Sequence, residues 1–329
     1  MNHPSIKQTN IFKIKKWDTI WLVTTAKNSY TFDEKFDTCL KYLQDAMWVT
    51  FLKWEEFGTG VVWIDPKRRV KDINRRIRDP SISTIRAVSG WHFSNELLPY
   101  IDREALEKHP TALIWYSDIT CLLVAWYAHW APAILWPTIS TCTRTNTPGY
   151  EQTIQRLQEH ISSTKKDILL EDVPDYFDYT VWAERYCYDW WIRVIKEGTA
   201  SWKLFGGNLS TLLLTAWTNY ALKNISWHIL CIEECIEMSA SEIRRMLFQL
   251  RMQPWGDEIT GVICGKRNRW SEWWKDIPLK QTLLDVFWDL NIPIVTWACF
   301  GHIMPMQTLQ FWSRVSINTL TKTYIMQRI

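Results

Sequence analysis

Short apolar runs along this chain alternate with stretches where apolar residues recur every three or four positions, the two rhythms of strand and helix. Residues 17–24, WDTIWLVT, predict a first strand. From Thr31 to Ala46, Phe32, Phe36, Leu40 and Leu43 share one helical face. Over 66–78, Val70, Ile73 and Ile77 line one face and the charges the other, which predicts a solvated amphipathic helix stopped at Asp79-Pro80. Short strands are predicted at 83–88 and 113–115. Between Ile119 and Trp136 the chain is almost free of charge and long enough to span a bilayer. Yet Ser117 and Asp118 precede that run, His129 lies within it and Pro132 breaks it, so it reads as a buried helix followed by a buried strand. Strands and helices in this alternation predict a mostly parallel sheet covered by helices on both faces.

Periodicity fades between 138 and 195, where threonine-rich and acidic-aromatic stretches such as EDVPDYFDY suggest an inter-domain connection or an active-site loop. A second patterned region opens at 202–211, WKLFGGNLST. Strands are predicted at 229–233, 259–264 and 292–297, with helices at 241–251 and near 280–290. Ser239 and Glu242 have the spacing of a capping box for the first of these helices. At 329 residues, two domains sharing a cleft are expected. The predicted fold is α/β: an N-terminal domain over 1–137, a connecting segment over 138–195, and a smaller C-terminal α/β domain over 196–329.

Composition narrows the function classes. The net charge of +3 makes no electrostatic case for nucleic acid or an anionic membrane surface. The basic run Lys67 to Arg78 is absorbed by the helix above. Eight cysteines are scattered without the rhythm of a zinc site, so reduced thiols are expected. The N-terminal stretch has no apolar core of the secretory kind, so no secretory signal is expected there.

Chemistry concentrates in 111–129, TALIWYSDITCLLVAWYAH. An apolar strand runs straight into Ser117, and Asp118 opens an apolar helix. A serine on such a turn is held up at the carboxyl edge of the sheet, facing a helix N-terminus. The backbone N–H of Asp118 would then point at an oxyanion formed on an acyl group under attack. Ser-Asp before a helix is also an ordinary N-cap, and this window alone leaves both readings open. His302 follows the predicted strand IPIVTW in the loop Cys299-Phe-Gly-His302, at a strand's carboxyl end. Glu233 closes the strand that begins at His228, where an unpaired carboxylate would be costly.

The segment Tyr116-Ser-Asp-Ile-Thr120, preceded by Asn95-Glu-Leu-Leu-Pro-Tyr-Ile-Asp102, resembles the nucleophile region of the LD-carboxypeptidases and the related microcin-immunity peptidases. The resemblance begins at Asp18-Thr-Ile20 and continues through Arg69-x-x-Asp72-Ile-Asn74. It resumes in Gly206-Gly-Asn-Leu-Ser-Thr211, Ile232-Glu-Glu234 and Gly265-Lys266, then closes with Ile292-Pro-Ile-Val295, Phe300-Gly-His302 and Pro305-Met-Gln-Thr308. It implies a serine carboxypeptidase-like hydrolase with Ser117 as nucleophile, His302 as general base and Glu233, the first acid of its pair, as the orienter of that base. The second oxyanion N–H would come from Trp91. The resemblance further implies a cytoplasmic homodimer without metal or cofactor, active in peptidoglycan recycling on the amide between an L-residue and a terminal D-alanine in murein tetrapeptides. The immunity branch cleaves a peptidyl- or aminoacyl-nucleotide amide instead; the rings between Tyr176 and Trp191 could stack on its base, and inter-domain packing accounts for them equally well. A third reading is an altered relative that keeps the fold without catalysis.

The reason for that third reading is tryptophan. There are 23 tryptophans against 11 glycines. Where the resemblance leads one to expect glycine, the chain repeatedly has tryptophan: at Trp17, Trp21, Trp91, Trp115, Trp136, Trp202, Trp217, Trp297 and Trp312. Phe93 stands where asparagine is usual and Gln310 where proline is. Trp91 and Trp115 flank the expected oxyanion site and the nucleophile turn, so they are the expected obstacles to catalysis.

Overall fold

The computed structural model describes residues 14–15, 18–23, 34–53, 65–88, 90, 92–139, 148–162, 165–178, 185–187, 191–221, 225, 227–235, 238–266 and 279–328. The chain forms a two-domain mixed α/β protein with parallel strands at the centre of each main sheet. In the first sheet β1 (Thr19–Val23), β2 (Thr50–Leu52), β3 (Thr84–Ala87), β4 (Ala112–Trp115) and β5 (Ala133–Leu135) run parallel in the order 2-1-3-4-5. The far edge beyond β5 is closed by β15 (Leu309–Gln310), which returns antiparallel from the C-terminal part of the chain. Every residue of β3, β4 and β5 is buried, which is why these segments read as unbroken apolar runs and not as alternating ones.

Around this sheet lie α1 (Glu34–Met47), α2 (Pro66–Arg78), α3 (Arg103–Lys108), α4 (Thr120–Ala128) and α5 (Tyr150–Ser162). Asp65 caps α2, accepting from the Lys67 N–H at 2.9 Å, and Pro66 sits where a helix lacks an N–H partner anyway. Lys67, Arg68, Lys71, Arg75 and Arg78 are exposed, as the spacing predicts, but three other charges of α2 are not. Arg69, Asp72 and Arg76 are buried beneath neighbouring elements. Arg76 pairs with Asp72 at 3.2 Å and lies over the Trp21 ring, 3.4 Å from its centroid. Arg69 donates to the Phe93 carbonyl and pairs with Glu96, so α2 carries charge to fasten the loop after β3.

The second sheet has eight strands in the order β6-β17-β16-β10-β11-β12-β13-β9. Its centre, β10 (Thr199–Asn208), β11 (His228–Glu233), β12 (Ile259–Gly265) and β13 (Ile294–Ala298), is parallel. Its flanks, β16 (Arg314–Asn318), β17 (Thr323–Gln327) and β6 (Asp167–Leu169) on one side and β9 (Arg193–Lys196) on the other, are antiparallel. Residues 148–178 thus hold a helix and strands despite their faded periodicity. The helices here are α6 (Leu209–Leu213), α7 (Ala240–Arg251) and α8 (Leu279–Val286). Ser239 and Glu242 form the reciprocal capping box on α7. A small third sheet joins β14 (Ile303–Met304), β7 (Tyr176–Asp178) and β8 (Arg185–Cys187).

The two domains meet where β10 ends against the start of α4. Gly207 makes that approach possible: a Cβ there would stand 2.7 Å from the Thr120 methyl and 2.9 Å from the Trp115 ring. Thr120 then bridges the seam. Its hydroxyl donates to the Ser117 carbonyl at 2.7 Å and accepts from the Asn208 N–H at 3.1 Å.

Candidate active site

The chain rises through buried β4 into Tyr116, extended at φ −161°, and then turns abruptly. Ser117 has φ 56°, a left-handed conformation uncommon outside glycine. A short 3₁₀ turn over Ser117–Ile119 leads directly into α4. This geometry lifts the Ser117 side chain out of the sheet while its neighbours Tyr116 and Asp118 stay buried.

His302 and Glu233 reach the same point from the other domain. The Nε2 of His302 lies 3.1 Å from Ser117 Oγ, and its Nδ1 lies 2.7 Å from Glu233 Oε2. A carboxylate can only accept, so Nδ1 carries the proton and Nε2 is left to accept from the serine hydroxyl. Glu233 is buried at the end of β11, its side chain 1% exposed, against 13% for His302. The Tyr116 ring packs against the imidazole, centroids 4.6 Å apart.

Several features hold the His302 loop in place. The Lys266 N–H donates to the carbonyls of Ala298 and Phe300, both at 2.9 Å. Gly301, with φ 112°, lets the loop pass close by: a Cβ there would stand 2.8 Å from the Lys266 carbonyl oxygen and 3.4 Å from Glu233 Cβ. Directly after His302, β14 pairs with β7 and pins the outgoing chain.

The adjacent acid does something else. Glu234 accepts from Asn208 Nδ2 at 3.0 Å and from the Ser210 and Cys235 N–H groups at 2.8 and 2.9 Å. It thus braces the start of α6, and Glu233 alone of the pair faces the histidine.

Asp118 is buried, and one of its carboxylate oxygens accepts from the Ser94 N–H at 3.0 Å. Burial pushes this carboxyl above its usual range, although Ser94, His92 and Arg69 pull the other way. Its side chain thus organises the loop after β3, where Phe93 has φ 80°. Such a conformation suits asparagine far better than phenylalanine, which is the physical content of that departure. Gly90 lies in the same loop against the nucleophile: a Cβ on it would stand 3.1 Å from Ser117 Cβ and 3.4 Å from the Asp118 nitrogen. Trp91, expected to give the second oxyanion N–H, lies outside the described residues. Trp115 is buried beneath the serine turn, and its indole Nε1 has no hydrogen-bond partner among the described residues.

Sequence reasoning missed two residues that the geometry singles out. Thr120 clips the nucleophile turn to the other domain, and Tyr116 buttresses the imidazole. Both lie inside the motif around Ser117, but nothing in their type or spacing signals those partners. Among the described residues no cluster of His, Cys, Asp or Glu could hold a metal ion, and no helix is long and apolar enough to cross a membrane.

A buried-strand serine, an imidazole within reach of it and a carboxylate behind the imidazole define the hydrolase class of site. Family profiles agree with that class. Residues 20–135 match the LD-carboxypeptidase N-terminal domain and residues 202–317 the LD-carboxypeptidase C-terminal domain. The chain belongs to the LD-carboxypeptidase family of serine peptidases. A candidate carboxypeptidase of Vibrio cholerae is 26% identical over 275 residues, covering 78% of this chain and 79% of that protein. The microcin C7 self-immunity protein MccF of Escherichia coli is 25% identical over 262 residues, covering 77% and 76%. The crystal structure of an MccF-like protein from Bacillus anthracis superimposes with a TM-score of 0.85 at 24% identity, over 96% of this chain and 98% of that one.

Proposed function

We propose that the protein is an LD-carboxypeptidase that hydrolyses the amide between an L-residue and a terminal D-alanine of a murein tetrapeptide. The observation that carries this reading is the hydrogen-bonded line Ser117–His302–Glu233 spanning the domain seam. Ser117 Oγ attacks the carbonyl carbon while its proton passes to His302 Nε2. Glu233 stabilises the imidazolium and fixes its ring orientation. The oxyanion is met by the backbone N–H of Asp118 and by that of Trp91. As the tetrahedral intermediate collapses the C–N bond breaks, and His302 returns its proton to the leaving amine. Water, deprotonated by the same imidazole, then adds to the acyl-serine and regenerates the hydroxyl. No metal or cofactor takes part in this scheme, and a cytoplasmic place in murein recycling suits its substrate.

A second reading is favoured by the ligands of similar structures. MccF has been solved in complex with aspartyl sulfamoyl adenosine and with glutamyl sulfamoyl guanosine. Hydrolysis of an aminoacyl-nucleotide amide would use the same serine and differ only in what holds the leaving group.

The deciding experiment offers both substrates to the purified protein and follows release of D-alanine and of the amino acid. The proposal expects D-alanine release, untouched by chelators and abolished in Ser117→Ala while peptide binding persists. Release from the nucleotide amide alone favours the second reading. If a serine-directed probe labels the parent no faster than Ser117→Ala, the chain is a non-catalytic relative.

A further inference from the structure

Tryptophan in this protein is concentrated where the backbone turns left-handed. Among the described residues nine non-glycine residues have positive φ, and six of them are tryptophan: Trp48 (53°), Trp130 (59°), Trp217 (63°), Trp227 (58°), Trp297 (66°) and Trp312 (71°). Only a few per cent of non-glycine residues adopt this region, and asparagine, aspartate and histidine are several-fold enriched among them. An indole offers none of the local hydrogen bonds that help those side chains there.

The turns themselves are of the kind that select glycine. At the end of α1 the Val49 N–H donates to the Gln44 carbonyl at 3.2 Å, so Trp48 occupies the left-handed position of a Schellman motif. The end of α4 repeats it. The Trp130 N–H donates to Tyr127 at 3.3 Å, and the Ala131 N–H to Trp126 at 3.1 Å, with Trp130 in the left-handed place. That place is the most glycine-rich position of a helix terminus. Between β12 and β13 the register passes from Ile263↔Val295 to Gly265↔Ala298, so two residues of β13, Thr296 and Trp297, stand opposite Cys264 alone. A left-handed residue in a strand bulge is again a glycine device.

Trp130 and Trp312 stack on each other, and Trp312 on Tyr127, with centroids 3.9 Å apart in both pairs, but the solvent-facing indoles gain little in return. Trp48, Trp217 and Trp227 are more than half exposed at 54%, 68% and 58%. Trp312 is buried, yet its indole Nε1 has no hydrogen-bond partner among the described residues. Composition points the same way, because a chain of this length usually carries roughly twice the 11 glycines present. Independent mutations would scatter many residue types over such positions. One residue type, placed again and again where glycine belongs, has a single cause upstream of the chain.

UGA is one base away from the tryptophan codon UGG and one base away from the glycine codon GGA, and different cells assign it different meanings. We infer that UGA is read as glycine in the cell that makes this protein, so that positions 48, 130, 217, 227, 297 and 312 carry glycine in the protein as synthesised. The required partner is a glycyl-tRNA whose anticodon pairs with UGA.

The test uses protein isolated from its own cells and digested with trypsin. Peptides 42–53 and 204–223 each contain a single tryptophan position, Trp48 and Trp217. Each is expected at a mass lower by the difference between an indolylmethyl group and a hydrogen atom, with no peptide at the tryptophan mass. The gene is expected to carry UGA at all six positions. Tryptophan-mass peptides at either position, mixed masses at one position, or UGG codons at these sites would overturn the inference.

Discussion

Glu233 presents one carboxylate oxygen to His302 Nδ1 at 2.7 Å from a side chain almost sealed from water. A buried acceptor in that place fixes which nitrogen of the ring carries the proton. Glu233→Gln keeps the shape but offers a donor where an acceptor is needed, so the ring adopts the other tautomer. Turnover is expected to fall by about 10³–10⁴-fold with KM nearly unchanged. Steady-state kinetics beside a thermal melt would check it, and a fall below tenfold would remove Glu233 from the mechanism.

Thr120 should matter to stability and turnover together. In Thr120→Val the Asn208 N–H loses its acceptor and the Ser117 carbonyl loses a donor, both in buried surroundings. The expected loss is about 1–3 kcal/mol in urea unfolding, with a parallel fall in kcat. Thr120→Ser keeps the hydroxyl and should recover most of both. An unchanged valine variant would show that the seam does not depend on this clip.

Acid should weaken the protein through His160. This ring is buried against Gln310, its Nε2 3.0 Å from the Gln310 amide oxygen, and burial together with the nearby Arg328 lowers its pKa to about 3. A histidine held below its ordinary value of 6.5 binds its proton more weakly folded than unfolded. Its contribution is therefore present above pH 6.5 and is lost as pH falls towards about 3. Within that window stability should fall by on the order of 1 kcal/mol per pH unit from this group alone. His160→Gln should flatten that part of the stability–pH curve, and an equal slope in parent and variant would contradict the assignment.

Trp91 and Trp115 are expected to limit catalysis, and other tryptophans only stability. Replacing both by glycine should raise turnover by far more than any change in unfolding midpoint explains. In protein expressed with tryptophan at 48, 217 and 227, replacing these exposed residues by glycine should instead relieve strain of about 1 kcal/mol at each left-handed position and leave turnover alone. Equal gains in turnover from both variants would mean that the tryptophans act through global folding.

Much of this architecture is legible in the sequence because period and burial coincide. The helix at 66–78 and the strand ending at Glu233 stand where their patterns predict them. What the pattern hides are features set by long-range geometry. Two-residue β15 has no periodicity of its own and exists only because β5 offers an edge. Arg76 and Asp72 look like solvent-facing charges until they are seen paired, with the Trp21 ring over Arg76. Ser117, Glu233 and His302 could be named through their motif matches, whereas the roles of Thr120 and Tyr116 depend on atoms far away in sequence.

Ser117 hangs from one sheet while His302 and Glu233 hang from another, and the way the two halves are joined, by packing, by the Thr120 bridge and by β15 on β5, sets the distance between them. A small hinge rotation, multiplied by the breadth of a domain, exceeds the slack in one hydrogen bond. The reactive hydroxyl is therefore a built-in gauge of how the lobes sit. Its rate of labelling would register a loosened joint before any spectroscopic sign of unfolding, and whatever clamps the joint would quicken it.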